Sequence, residues 1–320
     1  MRVAPWSLPV FVLALAGCST TTAPTDAAAS SDALAAGDVS TGDASTVDGG
    51  PSVDASSFKA AMVDTHAHIW PRNKADNDKY IDDFAATARA KRVRVVLGLH
   101  ARQKPDRPPT YSKDHDTWTL EAVAKHPDVF VPALNGFDPE SSTSVDYVKT
   151  ELATGKWKMI GELDVRNRPK ETTTPMNQAN LMQIYALAGQ AKVPVMVHFD
   201  PCYGADCATT SSEFEEALTK NSSTIFITAH GCNMTAMKAH SNLYCEYEPQ
   251  GGMPAPTELF DRVMLGSDEQ HLDLMVRFNN KDDYPYAQAI DMFVSKLSTL
   301  SAADQERVLV GTAQSLKLID

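Results

Sequence analysis

Between residues 19 and 57 the sequence has no lysine, no arginine and no aromatic side chain. Ala, Ser, Thr, Gly and Asp fill nearly all of this interval, and such a composition buries too little apolar surface to offset the entropy of ordering. It is expected to be a disordered tether. The chain also lacks an apolar run of spanning length. The run within "MRVAPWSLPVFVLALAGC" follows one basic residue, Arg2, and stops at Ala16, short of the ~20 residues a membrane helix requires. That pattern is an export signal. No CxxC spacing occurs among the five cysteines, which argues against a cysteine-built zinc site. No Gly-rich turn follows a strand candidate, which lowers an open nucleotide-binding sheet. A basic surplus is missing too. Taking Arg2 from 29 basic residues and the six tether aspartates from 41 acids leaves 28 against 35, so nucleic-acid binding through phosphate contacts is not expected.

The export signal closes on Leu15-Ala16-Gly17-Cys18, which resembles the lipobox of bacterial lipoproteins. The resemblance implies that Cys18 is lipidated and becomes the first mature residue. The chain would then be anchored to a membrane of the cell envelope, on the periplasmic or outer side, without spanning it. The expected organisation is a signal peptide over 1–17, lipidated Cys18 and linker over 18–57, and one folded domain over 58–320. Four further cysteines, Cys202, Cys207, Cys232 and Cys245, suit disulfides in an oxidising compartment. Three pairings are open, and proximity in sequence favours Cys202 with Cys207 and Cys232 with Cys245.

From residue 58 onward, eight short strand candidates alternate with helical patterns: "AAMVDTH", "VRVVLGLH", "VFVPALN", "WKMIGEL", "VPVMVHF", "TIFITAH", "NLYCEYE" and "RVMLGSD". Most are continuous apolar runs, as parallel strands covered on both faces require. Helical spacing lies between them, over 81–91, 118–126, 180–192 and 214–220, and follows the last strand over 285–297, 302–309 and 312–319. Eight strand-then-helix units in this length predict a (β/α)8 TIM barrel.

A barrel carries its chemistry at the C-terminal ends of its strands. Strand one ends in Asp64-Thr65-His66-Ala67-His68, strand four in Glu162, strand five in His198, strand six in His230 and strand eight in Asp268. Residues i and i+2 of a strand point the same way, so His66 and His68 can meet one ion. One strand-end histidine alone is better explained as a hydrogen-bonded structural residue; five strands offering ligand-type residues at the same end favour a metal site. Imidazole nitrogens with carboxylate oxygens suit zinc, manganese or iron, and this donor set could hold one divalent ion or two.

"VDTHAHIW", "GELD", "VMVHF", "ITAHG" and "MLGSDEQH" together resemble the motifs of the amidohydrolase superfamily, in the branch of decarboxylases, lactonases and TatD-like hydrolases, over residues 61–320. The resemblance implies that His66, His68 and Asp268 bind a first metal, that Glu162 bridges, and that His198 and His230 bind a second. In the single-metal form His66, His68, His198 and Asp268 bind the ion, and His230 orients water or substrate. It also implies an enzyme acting on a small-molecule substrate, with Asp268 as general base. Hydrolysis of an ester, lactone, amide or phosphoester is expected, with decarboxylation, a TatD-like nuclease and an inactive binding lipoprotein as alternatives. The family's Asn-Ala pair before the last helix is Thr312-Ala313 here. Residues placed near the mouth as substrate contacts are Trp70, Arg72, His100, Arg102, Asn135, Arg166, Tyr203, Glu246 and His271. His115, His126 and His240 are expected at the surface. Oligomeric state is not legible.

Overall fold

In a computed structural model of the chain, the described residues are 61–69, 74–99, 111–247, 257–270 and 286–320. Residues 1–57, with the expected signal peptide, Cys18 and tether, lie outside them, as do Trp70, Arg72, His100, Arg102 and His271.

The eight strands are β1 (Met62–Ile69), β2 (Val93–Leu99), β3 (Phe130–Leu134), β4 (Met159–Asn167), β5 (Val195–Phe199), β6 (Phe226–Thr228), β7 (Leu243–Tyr247) and β8 (Val263–Leu265). Each pairs in parallel with the next, and β8 returns to β1 with Leu265 opposite Asp64, closing a TIM barrel. Two short extensions decorate the rim: Thr172–Thr173 pairs antiparallel with the end of β4, and Glu269–Gln270 lies parallel to Ala67 and His68.

The inside of the barrel is an apolar stack of Val63, Val96, Val131, Met159, Met196, Ile227 and Met264, joined by Ala313 and Leu318 of the C-terminal segment. The outside packs against α1 (Lys74–Lys91), α2 (Lys113–Lys125), α3 (Ser144–Ala153), α4 (Ala179–Ala191), α5 (Cys207–Lys220), α6 (Met234–Ala239) and α7 (Tyr286–Leu297) through a larger cluster that includes Phe84, Phe130, Ile184, Tyr185, Phe226 and Phe293. Burial on both faces explains why the strands read as unbroken apolar runs. Among the described residues, no helix is long and apolar enough to cross a membrane.

Helix bounds differ from the periodicity where local chemistry intervenes. α5 starts at Cys207, seven residues before the apolar pattern, because the Asp206 carboxylate accepts from Thr209 N and caps a Ser/Thr-rich first half. The closing helical stretch is α8 (Ala302–Glu306), a π-turn at Arg307–Gly311 and α9 (Thr312–Ser315), and it ends early. Lys317 there takes φ 58°, with Leu318 N donating to Ala313 O, an αL helix stop. Thr312 is buried and donates to Phe260 O, which ties the start of α9 to the segment before β8. The disulfides are Cys202–Cys207 and Cys232–Cys245.

His115 corrects a surface expectation. It is buried on the inner side of α2, where burial lowers its pKa. Next to it, the buried Asp116 Oδ1 accepts the amides of Asn135 and Gly136 at 2.9 and 2.8 Å, and Tyr147 donates its hydroxyl to Oδ2. Burial pushes the Asp116 carboxyl up from 3.8 to about 6. The folded state therefore keeps a proton that the unfolded chain releases. This contribution is fully present below the unfolded value and is lost as pH rises through about 6. Relative to Asp116→Asn, the wild type should lose about 2 kcal/mol of stability between about pH 4 and about pH 7. Urea unfolding of both proteins across that range checks this; a flat difference refutes it.

Candidate metal centre

β1 delivers two imidazoles to the C-terminal mouth. The Asp64 carboxylate accepts His66 N, Ser267 N and Ser267 Oγ, which fastens the end of β1 to the turn after β8 that carries Asp268. Burial lifts Asp64 to about 6. His66 Nδ1 lies 2.7 and 2.8 Å from the two Glu246 oxygens, and His68 Nδ1 lies 3.2 Å from Gly98 O. Carboxylate and carbonyl oxygens only accept, so each Nδ1 carries a proton and each ring can offer an ion its Nε2. Those Nε2 atoms face each other at 2.8 Å.

Two more oxygens close on the same point. Asp268 Oδ1 is 3.4 Å from both Nε2 atoms, and Glu162 Oε2 is 3.6 and 3.5 Å away. Buried lone pairs and carboxylates turned inward need a cation between them. Histidines that donate Nδ1–H to an acceptor while aiming Nε2 inward are what metal-binding imidazoles look like. The donor set thus fits a divalent ion. Burial alone would lower the His66 pKa, but Glu246, Glu162 and Asp268 hold it well above its ordinary value.

Glu162 joins this group to the other two histidines. Its Oε1 accepts from His198 Nδ1 at 2.9 Å and from His230 Nε2 at 3.0 Å. His198 Nε2 faces Asp200 Oδ2 at 3.3 Å, and His230 Nδ1 is 3.9 Å from Asp268 Oδ2. Gly161 precedes Glu162 at φ 106°, and a Cβ there would collide with Met196 O, so only glycine brings Glu162 in this way. His230 and Asp268 themselves sit at φ 61° and 48°, strained conformations that tertiary contacts must hold.

Among the described residues, three overlapping groups keep their ligand atoms within 4.8 Å: His66, His68 and Asp268; His66, Glu162 and His230; and Glu162, Asp164 and His198. The chain belongs to the amidohydrolase family, whose model matches residues 63–316.

Solved structures share this amidohydrolase's fold at low identity. A protein from Pseudomonas putida assigned as a 2-pyrone-4,6-dicarboxylic acid hydrolase is 14% identical, with TM-score 0.53, over 81% of this chain and 97% of its own. Its counterpart from Acinetobacter baumannii, solved with citric acid bound, is 13% identical, with TM-score 0.52, over 80% and 98%. A 2,6-dihydroxybenzoate decarboxylase complexed with 2,6-dihydroxybenzoate is 13% identical, with TM-score 0.52, over 81% and 98%. No curated protein matches the amidohydrolase by sequence.

Several expected substrate contacts are committed elsewhere. Arg166 is buried and forms a two-pronged pair with Glu213 of α5 at 2.8 and 2.7 Å, with Nη1 on Tyr203 O. It is a buried clamp between β4 and α5. Tyr203 is half-buried beneath the Arg168 guanidinium. Asn135 is buried, and its backbone N–H donates to Asp116 Oδ1. Glu246, expected at the mouth, lies fully buried beneath His66 and also accepts His230 N at 3.0 Å. A Cβ on Gly266 would collide with the Glu246 carboxylate, so that glycine makes the room.

Sequence reasoning missed Asp164 and Lys170. Asp164 carried a signal, being two residues beyond Glu162 on one strand. Lys170 carried none: it lies in the loop after β4, buried, with Nζ 2.8 Å from Asp164 Oδ1 and 3.2 Å from Glu162 Oε2. Burial alone would lower its pKa, but Asp164 and Glu162 raise it. Burial likewise would raise Glu162, yet Lys170, His66 and His198 hold it well below the carboxylate range.

Proposed function

We propose that this amidohydrolase is a metal-dependent hydrolase that cleaves an ester, lactone, amide or phosphoester bond of a small-molecule substrate. One observation carries the reading: the inward-facing Nε2 atoms of His66 and His68, 2.8 Å apart, with Asp268 Oδ1 and Glu162 Oε2 beside them. His66, His68 and Asp268 would hold the ion. A divalent metal there, zinc or else manganese or iron, supplies Lewis acidity, polarising the scissile bond and easing deprotonation of water.

The chain's own residues do the rest. The Asp268 side chain is 32% exposed, so it reaches substrate, whereas His66 and His68 are sealed behind it. Burial would raise its carboxyl, but His66, His230 and His68 hold it below the usual range. It is therefore ionised at neutral pH and takes the proton from water, then passes it to the leaving group. His230 is a quarter exposed and is held by Glu162 with Nδ1 3.9 Å from Asp268 Oδ2, so it orients the water or the substrate oxygen beside Asp268.

The same residues suit decarboxylation, and the likeness to a 2,6-dihydroxybenzoate decarboxylase favours keeping that reaction as the second reading. An exported, lipid-anchored chain is part of the proposal. It is supported by the lipobox-like residues ending at Cys18 and by two disulfides, which persist in oxidising compartments.

The test is to strip the purified chain with chelator, restore zinc, manganese or iron, and assay lactones, carboxylic esters, amides, phosphoesters and aromatic acids. Turnover of a hydrolysable substrate, lost on stripping and regained with metal, is expected. Absence of stoichiometric metal, or activity indifferent to chelator, refutes the reading. Release of carbon dioxide from an aromatic acid with no hydrolysis transfers it to decarboxylation.

A further inference from the structure

We infer that Lys170 is the built-in second cation of this centre, so that the centre takes one metal ion, held by His66, His68 and Asp268. The inference rests on the metal-dependent reading above.

A second ion would have to lie within Glu162, Asp164 and His198, the group of ligand-type atoms on the β4 side. The Lys170 ammonium is already there, within hydrogen-bond reach of both carboxylates. Its loop is pinned in place. Lys170 N donates to Asn167 Oδ1 at 2.9 Å, and Asn167 Nδ2 donates to the same Asp164 oxygen that receives the ammonium, at 2.7 Å. An ion bound at about 2.0 to 2.2 Å from those oxygens would lie against a unit positive charge in a site of low dielectric, where like charges a few ångströms apart repel strongly.

The histidines on this side are occupied too. His198 has Nδ1 on Glu162 and Nε2 towards Asp200, so carboxylates face both of its nitrogens. Glu162 Oε1 is shared by His198 and His230, and Oε2 faces Lys170 and the His66–His68 pair. In contrast, the Nε2 atoms of His66 and His68 are turned onto each other and onto Asp268. The first subsite needs a cation and the second already has one.

Asp164 Oδ2 is buried with no hydrogen-bond partner among the described residues. Removing the ammonium therefore leaves Glu162 and Asp164 as buried carboxylates without their cation, ligands for an added ion towards which His198 can turn the nitrogen it now holds against Glu162.

The experiment loads the full chain with Zn2+ or Mn2+, removes loosely bound ion by gel filtration, and counts metal per chain by elemental analysis and native mass spectrometry. Wild type is expected to hold one ion, Lys170→Arg one, and Lys170→Met two. Two ions in wild type, or one in a Lys170→Met protein with a native circular-dichroism spectrum, overturns the inference. Zero ions in wild type instead refutes the metal-dependent function, and the inference with it. If Lys170→Met does not fold, the wild-type and Lys170→Arg counts decide, since two ions in either overturns the claim.

Discussion

Alanine at both His66 and His68 should bring metal content below detection and activity to background. The inward Nε2 atoms of these two rings face each other at 2.8 Å; Glu246 and Gly98 O fix both in that orientation. Without them, Asp268 and Glu162 keep only His230 beside them, its Nε2 on Glu162 at 3.0 Å and its Nδ1 3.9 Å from Asp268, too few nitrogen donors for a zinc-class ion. A second measurement needs no substrate. An ion that binds only the folded protein stabilises it by about 4 kcal/mol when present at roughly a thousandfold its Kd. Wild type should melt higher with metal, and the double variant should melt at one temperature with or without it. Unchanged metal content, or an undiminished metal-dependent shift, would defeat the assignment of this pair.

Asp268→Asn is expected to lower kcat by about 10²- to 10⁴-fold, the usual worth of a positioned acid-base group, with KM little changed. Asn keeps an oxygen where Asp268 Oδ1 faces His66 and His68, so metal content at saturating ion should persist. It loses the capacity to take a proton at neutral pH. The backbone favours this substitution: residue 268 has φ 48°, and Asn is among the residues that tolerate the left-handed region. Any fall in activity is then assigned to chemistry and not to unfolding. Steady-state kinetics with matched metal content is the check, and turnover within tenfold of wild type would remove Asp268 from the proton path.

Much of this was legible before any coordinates. The strands were readable because burial on both faces leaves apolar runs bounded by turns; β2, β3 and β5 to β8 fall within the runs named from sequence, and β1 and β4 begin in theirs and run on to Ile69 and Asn167. The strand-end residues were readable because a parallel barrel points every strand the same way. His66, His68, Glu162, His198, His230 and Asp268 are accordingly gathered around Glu162. Glu246 obeyed the same rule at the end of β7, and its distance from solvent was the part that could not be read. Arg166 looked like a substrate clamp because its partner, Glu213, is 47 residues away on α5. His115 looked exposed because a helix shows its polar face in sequence but not which neighbour covers it.

The sequence alone therefore determined the barrel, the end of it that carries chemistry, and the residue types offered there, since these follow from apolar runs alternating with helical spacing and from chain direction. Only the tertiary structure decided who neutralises whom. Glu246 beneath His66, and Lys170 between Glu162 and Asp164, are settled by through-space electrostatics in a buried site. There a charge must find its partner within a few ångströms whatever its distance along the chain.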